Sequence, residues 1–111
     1  MKRRIKASIV FDTPAKRNNF NTRFSDIILG KSLFEKSDVN SEDKETGNPT
    51  KDIDTRFNIP AEADDAFAKI KIALENTPWL KGTVSIHNCN HDVKAWDCRS
   101  DSRAEYQEFV K

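Results

Sequence analysis

Residues 52–76 read Asp52-Ile53-Asp54-Thr55-Arg56-Phe57-Asn58-Ile59-Pro60-Ala61-Glu62-Ala63-Asp64-Asp65-Ala66-Phe67-Ala68-Lys69-Ile70-Lys71-Ile72-Ala73-Leu74-Glu75-Asn76. The spacing of apolar side chains changes once within this stretch. Ile53, Thr55, Phe57 and Ile59 alternate with Asp54, Arg56 and Asn58, the period of a half-buried strand closed by Pro60. From Ala61 to Asn76 the period becomes helical. Ala63, Phe67, Ile70 and Leu74 lie along one face with Ala66 and Ala73 beside them, and Glu62, Asp64 and Asp65 occupy the first turn, where the helix dipole favours negative charge. Pro78 stops the helix.

The same succession occurs nearer the N-terminus. Ile5, Ala7, Ile9 and Phe11 alternate with Lys6, Ser8, Val10 and Asp12, which predicts a strand over 4–12. Thr13 is a cap residue and Pro14 suits the first helical position. Phe20, Phe24, Ile27 and Ile28 then form one apolar stripe, and Gly30 stands where a left-handed cap would end the helix. Leu33 and Phe34 suggest a short second strand. From Ser37 to Lys51 only Val39 is apolar, so an acidic, mobile loop is expected there. After the second helix, Trp79 should plug the end of the core, and Thr83 to Asn90 forms a fourth strand with Val84 and Ile86 inward. In the tail, Ser102 and Glu105 have capping-box spacing, and Tyr106, Phe109 and Val110 predict the apolar side of a short C-terminal helix.

This order is β-α-β-β-α-β plus an appendage, which calls for one α+β domain over 1–111. It resembles the ferredoxin-like sandwich, an antiparallel sheet with two helices on one face. The resemblance is one of fold, drawn from element order alone.

Composition narrows the class. Leu, Ile, Val and Phe make up 25 of the 111 residues, enough for one thin core. No apolar run approaches the ~18 residues of a membrane helix, so no membrane partner is expected. The start Met1-Lys2-Arg3-Arg4 lacks the apolar run of an export signal, so the expected compartment is the cytoplasm. Cys89 and Cys98 are then expected as free thiols, with a bridge across a hairpin as the alternative. The three glycines, Gly30, Gly47 and Gly82, are too far apart for a phosphate-binding loop, and no cofactor is implied.

Three functional readings compete. The leading one is a small non-enzymatic binding or regulatory module. It would recognise a macromolecule, most naturally a protein, through the helix-free sheet face and the tail, with Arg56, His87 and Trp96 as binding residues. Its support is the absence of catalytic and cofactor signatures. Exposed sheet edges also pair readily, which favours a homodimer.

The second reading is a nucleic-acid binder. Residues 1–36 carry nine Lys/Arg against three Asp/Glu, and Lys2, Arg3, Arg4, Lys6, Lys16, Arg17 and Arg23 would contact phosphates. Against it, the strand positions expected on the open face (Lys6, Ser8, Val10, Asp54, Arg56, Asn58, Ser85 and His87) include no aromatic on which bases could stack, and the net charge is only +1.

The third reading is a metal- or thiol-dependent enzyme centred on His87, Cys89, His91 and Cys98. Imidazole and thiolate suit zinc, nickel or copper. Residues i and i+4 of a straight strand are about 13 Å apart, however, against metal bonds of about 2.0–2.3 Å. A single ion therefore requires a bent strand or a partner such as Cys98.

Overall fold

A computed structural model of the chain describes residues 2–89 and 106–111. The alternation of Ile5, Ala7 and Ile9 becomes β1 (Arg3–Val10), in the middle of an antiparallel sheet. Ile5 and Ile9 are wholly buried, whereas Lys6 and Ser8 are exposed. Thr13 is extended, and its hydroxyl accepts a hydrogen bond from the Lys16 N–H at 3.3 Å; with Pro14 at the first helical position, this launches α1 (Pro14–Ile28). The predicted stripe of Phe20, Phe24, Ile27 and Ile28 is the buried face of α1.

The remaining elements are β2 (Leu33–Glu42), β3 (Pro49–Phe57), α2 (Pro60–Asn76), β4 (Lys81–Asn88) and β5 (Gln107–Val110). The strands lie side by side in the order β2-β3-β1-β4-β5, each antiparallel to its neighbour. α1 and α2 share a core with Ile5, Ala7 and Ile9 of β1, Ile53 and Phe57 of β3, and Val84 and Ile86 of β4. Both helices therefore cover one side of the sheet. Trp79 is 9% exposed and closes that core, as its position after α2 predicts. None of the described helices is long and apolar enough to cross a membrane.

The structure corrects three expectations. Residues 37–51 are not a loop: β2 runs on to Glu42, β3 begins at Pro49, and a tight hairpin joins them. The Asp43 N–H donates to the Asn48 carbonyl at 2.8 Å, and the Gly47 N–H donates to the Asp43 carbonyl at 2.7 Å. The Asp43 carboxylate also accepts the Thr46 hydroxyl at 2.7 Å, a bond that holds its pKa below the usual carboxylate value. Apolar side chains are scarce in this stretch, but β2 is ordered by its backbone ladder to β3 and by charge. Asp38 lies between Lys51 (Nζ to Oδ2, 2.7 Å) and Lys36 (Nζ to Oδ1, 2.8 Å).

The second correction concerns the tail, where Gln107–Val110 is a strand rather than part of a terminal helix. Its Phe109 ring packs 5.4 Å from Phe67 and 6.3 Å from Trp79, so it still reaches the core, but from the sheet edge beside β4. The Ser102–Glu105 box lies outside the described residues. Third, Pro60 opens α2 from within instead of closing the strand before it.

Two positions test this packing. Gly82 has φ +147, and a Cβ there would lie 2.1 Å from the Ser8 carbonyl oxygen on β1. Gly82→Ala is expected to lower the unfolding free energy by about 2–4 kcal/mol. Gly47→Ala, where a Cβ meets nothing within 4 Å, should cost only ~1–2 kcal/mol for its left-handed backbone. Urea titration of both variants measures the difference.

Burial pushes the Asp38 carboxyl up, but hydrogen bonds from Lys36 and Lys51 and their charges outweigh it and leave the pKa lowered. A carboxylate with a depressed folded pKa stabilises fully above its unfolded value of about 3.9. That contribution disappears as pH falls through the folded value. Asp38→Asn should therefore destabilise the protein at neutral pH and flatten the acid limb of its stability curve below about pH 4. Thermal unfolding across pH checks this.

Candidate functional site

The alternation that sends Ile5, Ala7 and Ile9 into the core sends Arg4, Lys6 and Ser8 to the opposite side of the sheet, which the helices leave open. The strand register arranges this side in rows. Arg4 stands between Arg56 and His87, Lys6 between Asp54 and Ser85, and Ser8 between Asp52 and Thr83.

The first row is buried. Arg56, Arg4 and His87 are 1%, 3% and 1% exposed. Placing two guanidiniums side by side is costly unless carboxylates offset them. Arg4 makes a two-pronged contact with Asp54, Nε to Oδ1 at 2.7 Å and Nη2 to Oδ2 at 2.5 Å. Arg56 lies 3.5 Å from Glu35, and its guanidinium carbon is 5.3 Å from the centre of the Phe34 ring. The Lys2 ammonium sits 4.6 Å from the same ring. The His87 ring is 5.9 Å from Tyr106. Arg56 and His87 are thus on the predicted face, but they form its floor and are not bare contact residues.

The other rows, together with His87 of the first, border an open concavity of about 500 Å³. Lys6, Ser8, Asp52, Asp54, Thr83 and Ser85 line its centre, Ser37 and Val39 one side, and Tyr106 and Glu108 the other. The Tyr106 hydroxyl donates to Glu108 Oε2 at 2.6 Å, which fixes the tyrosine over the β4 side of the face. Strand alternation alone assigns neither Phe34 nor Tyr106 to this face. Phe34 sits at the irregularity between Leu33 and Glu35, where alternation fails, and Tyr106 immediately precedes β5, a segment whose apolar spacing predicts a helix.

The basic residues of the N-terminal third do not form one surface. Arg3 is buried on the helix side, where its Nε lies 3.2 Å from Asp64 and its Nη1 donates to Asn88 Oδ1 at 2.8 Å. Arg4 is held by Asp54 beneath the open face. Lys16 pairs with Asp12 at 2.9 Å, and Arg17 donates to the Ser41 carbonyl at 3.1 Å. Arg23 is exposed on α1 and Lys6 on the sheet side, with the thickness of the domain between them.

Cys89 has a free, buried thiol, and its N–H donates to the Lys2 carbonyl at 2.9 Å. Among the described residues no group of three His, Cys, Asp or Glu could hold a metal ion. His91, Cys98 and Trp96 lie outside the described residues.

A scan against models of known protein families finds no match, and comparison with curated protein sequences finds none either.

Removing the Asp54 carboxylate leaves the buried Arg4 guanidinium without its two-pronged partner. Asp54→Ala is expected to cost about 1–3 kcal/mol of stability. Asp52→Ala, one row along and half-buried, should stay within about 0.5 kcal/mol of the parent. Chemical denaturation of the two variants separates a structural carboxylate from a surface one.

Proposed function

We propose that this protein is a small non-enzymatic binding module that recognises another protein through the helix-free sheet face and the C-terminal tail. We read the fold as a ferredoxin-like sandwich extended by β5. That architecture serves many functions, so the reading rests on the face and not on the fold.

The observation that carries it is the open concavity, whose centre is rigid sheet and whose charge leans negative. Among the described residues, Asp52 and Glu108 border it, Asp54 is engaged by Arg4, and Lys6 is the lysine that lines it. A carboxylate- and hydroxyl-lined trough attracts a lysine- or arginine-bearing segment and repels a phosphate backbone. Five of the seven basic residues proposed for nucleic acid, Lys2, Arg3, Arg4, Lys16 and Arg17, are engaged with other groups of the chain, on both sides of the domain. Tyr106 and Val39 supply apolar surface at the two flanks, the usual companion of polar contacts in a protein interface.

Affinity capture compares the wild-type protein with Asp52→Lys/Glu108→Lys on the open face and Lys69→Glu on α2. A protein identified by its binding to the wild type should retain its affinity for the α2 variant and bind the face variant at least tenfold more weakly, a difference of about 1.4 kcal/mol. Equal binding to all three would overturn the reading. So would tight, salt-sensitive binding of labelled RNA or DNA to the wild type.

A further inference from the structure

β2 is an edge strand ten residues long, and its pairing with β3 is regular from Glu35 to Glu42. Two hydrogen bonds reveal which of its backbone groups point outward. Asp43 donates towards β3, to the Asn48 carbonyl, and the Pro49 carbonyl of β3 accepts from Phe11 on the far side, the side of β1. Because N–H and C=O directions alternate along a strand, the odd-numbered residues of β2 face β3, and Lys36, Asp38, Asn40 and Glu42 direct both backbone groups away from the sheet. α1 touches this edge through side chains only. Asn21 donates to the Asn40 side chain at 3.1 Å, and Arg17 reaches the carbonyl of Ser41, an odd position.

We infer that this edge pairs antiparallel with the same edge of a second copy, with Val39 opposite the partner's Val39. A two-fold axis requires each strand to meet itself, and opposed residues must share parity to exchange hydrogen bonds, so the choice of registers is short. A centre at Asp38 sets Asp38 against the partner's Asp38. A centre at Asn40 sets Asp38 against the partner's Glu42. Like charges directly opposed are unfavourable in both. A centre at Ser37 brings Phe34, at the ladder's irregularity, into the pairing.

The centre at Val39 has none of these faults. It sets Lys36 against the partner's Glu42 at both ends and Asp38 against the partner's Asn40 between them. All four outward-facing residues exchange backbone bonds, about eight in total. Val39, 56% exposed in the single chain, is covered by its counterpart at the closely spaced, non-bonded position. The open face of one subunit then continues into that of the other, because Val39 lines the concavity. This pairing is independent of what that concavity binds.

The edge alone is small beside a standard protein interface, so association should be reversible, with a dissociation constant on the order of 100 µM. Sedimentation equilibrium of the purified full chain is expected to show monomer and dimer in exchange. Lys36→Glu and Glu42→Lys should each weaken dimerisation at least tenfold, and the double variant Lys36→Glu/Glu42→Lys, which restores opposite charges at both ends, should recover it. Amide hydrogen exchange at low and high protein concentration gives a second readout. The N–H groups of residues 36, 38, 40 and 42 should gain protection with concentration, while those of 37, 39 and 41 stay protected throughout. A chain that remains monomeric at millimolar concentration overturns the proposal. So does a dimer unaffected by the single charge reversals, or one that leaves the even-numbered amides exchanging freely.

Discussion

β1 is the constraint on which the rest of the structure depends. It is hydrogen-bonded to a neighbour on each edge, so its backbone cannot rotate and its side chains must divide strictly between two environments. Ile5, Ala7 and Ile9 draw α1 and α2 onto one side. Arg4, Lys6 and Ser8 are thereby committed to the other, and the register carries the same division into β3 and β4. A slip of one residue would drive Arg4 into the aliphatic core and expose Ile5, so the fold and the composition of the open face have a single origin.

That division leaves a local difficulty at one end of the face, where Arg56, Arg4 and His87 meet in a row. The structure meets it with carboxylates on neighbouring strands and with aromatic surface. Asp54 grips Arg4 from the next row of β3, while Glu35 and Phe34 of β2 approach Arg56. Buried charge arranged in this way adds little net stability, because desolvation offsets the attraction, but removing one partner is costly. The consequence for function is that the cations most conspicuous in the sequence are absorbed into scaffolding, and the accessible centre of the face is left to Lys6, Ser8, Asp52 and the hydroxyls of β4.

Much of this was legible beforehand. The stripes of Phe20, Phe24, Ile27 and Ile28 and of Ala63, Ile70 and Leu74, the Thr13–Pro14 helix start, the inward Val84 and Ile86, and Trp79 at the end of the core all follow from local periodicity and capping, and all are found in place. The helix-free face was legible to the same extent, because parity alone assigns Arg56 and His87 to it. Their burial was not, because groups such as Glu35, Phe34 and Tyr106 reach them from elsewhere in the chain.

The amino-acid sequence by itself determined which face each residue of β1, β3 and β4 presents, where the first helix begins, and what fills the core; these are matters of spacing over a few residues. Tertiary structure alone decided that Ser37–Lys51 is a hairpin, that the chain end is a strand and that the basic N-terminal third is dispersed. The physical reason is that a strand draws its order from a neighbour's backbone and a charge from a partner distant in sequence. Lys51 and Asp38, or Phe109 and Phe67, meet only after the chain has folded.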